Sequence, residues 1–499
     1  MTPYEALENS FRDISHLLHV SAVLYWDEAT MMPLGGGSAR ANAMAALAGI
    51  LHERITAPEI GDLLDQARSS ADDLGVWERA NLHQMERTWS QNTALPHELV
   101  KAIQLAATTC EQTWRACRPS EDWTTVLPKL ESLFKLQREV AEYMGEQQGL
   151  APYDALLDSY EEGLRANFVD ETFADLKAFL PGFLEKVLER QAQKPPLPLP
   201  GPFPLNQQEQ LGLKLVQTLG FDFEHGRLDV SHHPFCGGVP DDTRITTRYT
   251  EDDFLHALMG SLHETGHALY QQGLPAQWRE QPVGEALGMA IHESQSLLME
   301  MQVCRGRSFL NYAAGAVREA FGASADDPVW SGENLHRHYT RVERGYIRVD
   351  ADEVTYPLHI ILRYEIEKQL FSGQLELRDL PDAWDEGMKS LLGLSTAGNL
   401  KDGVMQDVHW FGGLFGYFPS YTLGAITAAQ LFATARREID GLSDSIERGD
   451  FTPLVGWLRS HVHGQGRLMN ADVLVRNVTG EPLTTAAFKS HLQARYLPD

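Results

Sequence analysis

Cysteine is scarce in this 499-residue chain: Cys110, Cys117, Cys236 and Cys304 are the only four, and none forms a CxxC pair. So few, and so scattered, they cannot build a disulfide framework or a thiolate zinc site. A reducing, cytoplasmic setting is the expectation. Cys110 and Cys117, seven apart in a helical stretch, fit core thiols on one helix face. Positive charge is short as well, with 42 Lys+Arg against 69 Asp+Glu and a net charge of −27. A surface that acidic repels phosphate backbones and anionic headgroups, so nucleic acid and membrane surfaces are excluded as expected partners. No run of ~18 apolar residues appears, which excludes a membrane-spanning helix. The opening MTPYEALENSFRDISHLL places acids early and has no apolar stretch behind a basic start, so it does not read as a targeting peptide. No repeat of fixed period is present, which disfavours a solenoid. What remains is a globular composition, 43% hydrophobic and 22% charged, in a chain long enough to bury a core without staples.

Apolar spacings of three and four predict helices over 4–24, 40–70, 76–92, 97–117, 128–148 and 171–193. Ser120 and Asp170 read as helix starts. The segment PPLPLPGPFP (195–204) is the one sharp composition break, and helical pattern resumes at Gln207, so it reads as a rigid surface loop. Residues 228–249 show β-branched alternation around Gly-Gly and Pro-Asp-Asp turns, predicting a small sheet or hairpin. Helical pattern then covers 251–272, 284–305, 309–321, 331–345, 353–372, 380–393, 421–448, 452–462 and 468–477. The expectation is a mainly α fold with one small β element. It forms a single domain, with an N-terminal helical part of about 1–194 and a catalytic part of about 205–499.

His263-Glu-Thr-Gly-His267 is an H-E-x-x-H motif. Residues four apart on a helix project from one face, so both imidazoles can reach one metal ion, and Glu264 beside them can take a proton from water. The surrounding sequence predicts a helix: Thr250 and Asp253 as a capping box, acids Glu251 and Asp252 at the first turn, then Phe254, Leu255, Leu258, Leu262 and Leu269 at helical spacing. Gly273 and Pro275 end it. The bland alternative is a pair of histidines satisfied inside a helical core. A catalytic metal usually takes a third protein ligand. Glu293, 26 residues beyond His267, lies on the next helix; Glu285, His292 and Glu300 compete with it on spacing alone.

Taken together, these and other motifs resemble the carboxypeptidase Taq family of metallocarboxypeptidases. They are Trp26-Asp-Glu-Ala-Thr-Met-Met-Pro33 with Gly35-Gly-Gly37, His233-Pro-Phe235, Asp242-Thr-Arg-Ile-Thr246, the H-E-x-x-H itself, His292-Glu-Ser-Gln295, Ile347-Arg-Val-Asp350 and Gly403-Val-Met-Gln-Asp-Val-His-Trp410. The resemblance implies an elongated helical body with a deep central groove, a homodimer, and stepwise removal of single C-terminal amino acids with broad tolerance. By motif match it makes His263, His267 and Glu293 the ligands of Zn²⁺ (Co²⁺ being the alternative ion) and Glu264 the general base.

A carboxypeptidase has to hold a free carboxylate, which a planar Arg fork does best. Arg348 and Arg244 are the candidates that the resemblance puts forward; the alternative for Arg348 is a salt bridge to Asp350 or Asp352. For the negative charge that develops on the reacting carbonyl, His233, His409 and Tyr421 are the candidate donors. The last two belong to the stretch HWFGGLFGYFPSYTLG (409–424), whose plainer reading is a packed aromatic loop. The resulting reaction is metal-promoted water attack on peptides with a free C-terminus. One rival is an oligopeptidase with the same metal set, on which a buried Arg anchor would be wasted. Another is a non-catalytic helical scaffold.

Overall fold

Proline, glycine and polar caps cut the chain into shorter rods than hydrophobic spacing alone predicts. In the computed structural model, which describes residues 1–498, α1 (Pro3–Thr30) begins at a capping box. There the Thr2 hydroxyl accepts the Glu5 N–H and the Glu5 carboxylate accepts that of Thr2. The stretch expected to be one helix over 40–70 is two, α2 (Gly37–Ile55) and α3 (Pro58–Ser69). Pro58 has no N–H to continue the first and a fixed φ suited to starting the second. Next come α4 (Val76–Thr93), α5 (His97–Cys117) and α6 (Trp123–Gln148). The cap of α6 is Asp122, which accepts the Thr125 N–H at 3.1 Å, and not Ser120. Helix α7 (Pro152–Tyr160) has too short a pattern to stand out in the sequence. Helix α8 (Ala166–Gln191) starts before Asp170, which lies inside it and binds Lys368 and Tyr364.

The Pro-rich stretch is irregular chain, as expected, and leads into α9 (Leu205–Thr218). Strands β1 (Gly226–Val230), β2 (Cys236–Val239) and β3 (Asp242–Thr247) form one sheet in the order β1-β3-β2, parallel on one side of β3 and antiparallel on the other. The sheet packs on α10 (Phe254–Gly273): Ile245 of β3 meets Val216, Phe221 and Ala268 in a small apolar cluster. Asp253 alone caps α10, accepting from the N–H groups of Leu255 and His256. Thr250 and the two acids after it lie outside the helix.

The expected 284–305 helix is composite. Helix α11 (Met289–Leu297) runs directly into a π-helical turn, Leu298–Cys304. Glu285 precedes it and pairs with Arg467 at 3.0 Å. Beyond lie α12 (Arg307–Phe321), α13 (Gly332–Tyr339), α14 (Tyr356–Ser372) and α15 (Leu380–Leu392). They are followed by α16 (Pro419–Glu438), α17 (Leu442–Glu447), α18 (Thr452–His461), α19 (Ala471–Thr479) and α20 (Ala486–Tyr496). The expected 421–448 helix divides at Gly441, whose φ of 69° no continuing helix permits.

The apolar interior forms one large core reaching from Leu99 to Tyr496 and a separate smaller one drawn from α1 to α4, between Tyr4 and Met85. Cys110 is buried, Cys117 is half-buried, and all four thiols are free. Among the described residues no helix is long and apolar enough to cross a membrane.

Candidate metal and catalytic site

Helix α11 lies between two glycines. A Cβ at Gly266 of α10 would stand 2.4 Å from the Gln295 carbonyl oxygen, and one at Gly424 of α16 would stand 3.0 Å from Glu293 Cβ. The absence of a side chain at both positions lets α11 settle against both neighbours, and so places Glu293 opposite the histidines of α10. His263, His267 and Glu293 each offer one donor atom, and the three atoms lie within 4.8 Å of one another.

Each imidazole is fixed from behind. His267 Nδ1–H donates to the His292 carbonyl at 3.1 Å, which leaves Nε2 toward the cluster, 3.6 Å from Glu293 Oε2. His263 Nδ1 meets Glu300 Oε2 at 2.7 Å, and Arg305 holds the other Glu300 oxygen at 2.5 Å. The rivals for third ligand are thereby placed. Glu300 orients a histidine, the His292 ring stacks on His267 and reaches Gln271, and Glu285 lies at the Arg467 ion pair. Burial and the neighbouring histidines push His267 well below its usual range, so its ring is neutral, the form a metal needs. For His263 burial acts downward, but Glu300, with Glu293 and Glu264, outweighs it and lifts the pKa to about 10. Two imidazoles and a carboxylate converging from two braced helices fit a divalent metal ion.

Glu264 is 7% exposed, and its Oε2 has no hydrogen-bond partner. Burial, with the charges of Glu293 and Glu300 and against that of His263, carries its pKa to about 7. A carboxylate kept buried, unpaired and near neutrality beside a metal set is placed for proton transfer.

The five other candidates divide into two groups. Arg348, His409 and Tyr421 belong to one network around Asp407. That carboxylate accepts from Arg348 Nε at 2.6 Å and Nη2 at 3.0 Å, from Arg363 Nε at 3.0 Å, and meets His409 Nδ1 at 3.0 Å. His409 Nε2 lies 3.2 Å from the Tyr421 hydroxyl, and the Arg348 guanidinium stands 5.0 Å from the Tyr421 ring centre. Glu293 is close enough for its charge to act on Arg348 and Tyr421. The ion-pair partner of Arg348 is thus Asp407, and neither Asp350 nor Asp352. Arg244 and His233 stand apart. Arg244 is held by Asp242 at 2.8 Å and lies 4.2 Å from the Trp26 ring centre. His233 sits exposed before β2, its ring packed on His232. No hydrogen bond joins either to the metal donors among the described residues. The aromatic-loop reading of 409–424 holds for Trp410, Phe411, Phe415 and Phe418, which are buried in the main core.

Sequence reasoning missed Asp407 and Arg363. Asp407 lay inside a quoted motif, two residues before His409, and Arg363 sits in a helix with no motif of its own.

A helical body that braces two histidines and a glutamate around an unpaired buried carboxylate defines a metallopeptidase. Known proteins narrow the class. A curated relative from Thermus thermophilus, thermostable carboxypeptidase 1, is 40% identical over 99% of both chains. Carboxypeptidase 1 of Bacillus subtilis is 34% identical over 97% of this chain and 96% of its own. The solved metallocarboxypeptidase 1 of Trypanosoma cruzi superposes with a TM-score of 0.97 at 42% identity, covering 99% of each chain. The model of the carboxypeptidase Taq (M32) metallopeptidase family matches residues 6–496, and the chain belongs to that family. It is a metal-dependent carboxypeptidase, hydrolysing peptides at their C-termini.

Proposed function

We propose that His263, His267 and Glu293 hold zinc, Co²⁺ being the alternative, and that Glu264 is the general base of a broadly tolerant exopeptidase. The observation behind this reading is the Glu264 Oε2 atom, buried and unpartnered next to three converging donors. A bound ion supplies Lewis-acid polarisation of water and of the scissile carbonyl. Glu264 takes the proton of the attacking water and delivers it to the leaving amine. Arg348, with Nε and Nη2 engaged by Asp407, uses its remaining nitrogen on the terminal carboxylate, and Arg244 assists from the sheet. His409 and Tyr421, with His233 beyond them, donate to the carbonyl oxygen as it gains charge. The chain acts as one catalytic unit, within a homodimer, in the cytoplasm; the motif resemblance supports the dimer, and the free thiols fit a reducing compartment.

Free and C-terminally amidated copies of one short peptide test this reading. Losing a paired charge at a desolvated anchor typically costs about 2–5 kcal/mol. That corresponds to roughly 30-fold or more in kcat/KM. The free peptide should shorten residue by residue while the amidated copy is nearly inert. Internal fragments from the amidated peptide at comparable rates would replace the exopeptidase reading with an oligopeptidase.

A further inference from the structure

A cavity of about 1210 Å³ lies between the ends of α8, α13 and α20, and none of the metal-site side chains lines it. Its wall is basic in a chain whose net charge is −27. Lys186, Arg190 and Lys194 come from α8 and the chain after it, Arg307 from α12, and Arg337, Arg341 and Arg344 from α13 and beyond. Arg495 of α20 completes it, and among the described residues the opposing acids in the wall are Glu189, Glu333 and Glu343. Glu333 serves both Arg307 and Arg337, Arg341 holds Glu343, and Arg344 and Arg495 reach Glu185 and Glu353 outside the wall. Lys186, Arg190 and Lys194 have no ion pair among the described residues.

Helix dipoles account for part of this charge. Arg190, Arg337 and Arg495 sit in last turns, where a cation is favourable. They do not account for Arg307, the first residue of α12, where the dipole disfavours a cation and no side chain caps the free N–H groups. His336 also lies in the last turn of α13. It is 6% exposed and lines the cavity, and neither ring nitrogen has a hydrogen bond among the described residues.

We propose that this cavity binds a small polyanion bearing several phosphate groups. Arg forks match phosphate oxygens in pairs, and an uncapped helix start favours the same charge. His336 adds a directed donor from the buried side. The volume is more than a single phosphate fills and somewhat exceeds the usual range of small-ligand sites, about 300–1,000 Å³. Cations spread over four elements can then each meet a different phosphate.

Calorimetric titration of inorganic tripolyphosphate into the full chain, freed of metal by chelation and dialysis, tests the proposal without any contribution from the metal site. One site per chain is expected, weakening steeply with salt. Arg190→Glu with Arg341→Glu, both exposed, should weaken it at least tenfold at unchanged circular dichroism. Should that pair misfold, Lys186→Gln with Lys194→Gln reads the same effect more gently, as a loss of about threefold or more. Absence of heat at millimolar tripolyphosphate, or equal binding by a folded variant, overturns the proposal. Tighter binding of pentaglutamate than of tripolyphosphate also overturns it, reassigning the cavity to an acidic peptide.

Discussion

Glu300 touches no substrate atom in any reading of this site, yet it decides how His263 is presented. Its two oxygens link His263 Nδ1 to Arg305, so the ring cannot turn its other nitrogen away from the cluster without breaking a buried, charge-assisted bond. Such partners behind a ligand are typically worth 10–100-fold in metal affinity. Glu300→Gln should therefore lose metal to a competing chelator about tenfold or more readily, while Glu264→Gln keeps its metal and loses turnover. Unchanged affinity in Glu300→Gln would show that His263 is oriented by something else. The contrast also explains what could be read from sequence at this scale. His263, His267 and Glu264 are neighbours in one helical turn, so their convergence is written in the spacing. Spacing favoured Glu293 over Glu300, two turns further down, but only motif resemblance singled it out, because the turn that aims each acid depends on packing. Asp407 was illegible as the partner of Arg348, 59 positions away, since nothing local marks such a pair. The local acids Asp350 and Asp352 were the natural guess, but Asp352 instead accepts the N–H groups of Val354 and Thr355 ahead of α14.

At the scale of elements, strong periodicity gave the long helices and failed at their ends. Thr250, Ser120 and Asp170 all carry good capping chemistry, but Asp253 and Asp122 took two of those roles and α8 simply begins earlier. Helix α20 went unread because its apolar positions are few. Its docking adds a polar anchor to the buried Phe488 and Leu492. Buried Glu353 accepts from Arg495 and Tyr496, both at 3.0 Å, and meets His491 at 2.5 Å. Arg495 also donates to the carbonyls of Met301 and Gln302, in the π-helical turn that presents Glu300. Burial opposes the Glu353 charge, but His491, Arg495 and Arg305 outweigh it and hold the carboxyl well below its usual range. A carboxylate with a depressed folded pKa adds stability above its unfolded value of ~4.3 and loses it as pH falls below that. Breaking a buried pair of this kind typically costs ~3–5 kcal/mol. Thermal melting of wild type and Glu353→Gln should therefore differ most at neutral pH and converge in acid. A gap that stays constant from pH 7 to pH 3 would remove Glu353 from this role.

For the whole molecule, composition and pattern were enough to give a mainly α body with a small sheet. Apolar spacing does not show which helices share a core. The apolar clusters divide after α4, because α5 to α8 send Leu133, Phe173 and Leu180 into the same core as α10 and α11. Helices α1 to α4 keep their own, and they meet the rest partly through polar pairs: Asn81 with Gln281, His16 with Glu280, His19 with Asp242. Polar seams between unequal cores set the order in which a protein comes apart. Amides of α1 to α4 should exchange with deuterium through an opening of lower free energy than those of α10, α11 and α16. Uniform protection across both sets would mean that the seam is as strong as either core. With the graded pattern, the four N-terminal helices loosen while the metal donors, anchored in the larger core, stay where they are. His16 and His19 of α1 line a groove that also holds His292, so moderate heat would open that groove well before it displaced the donors.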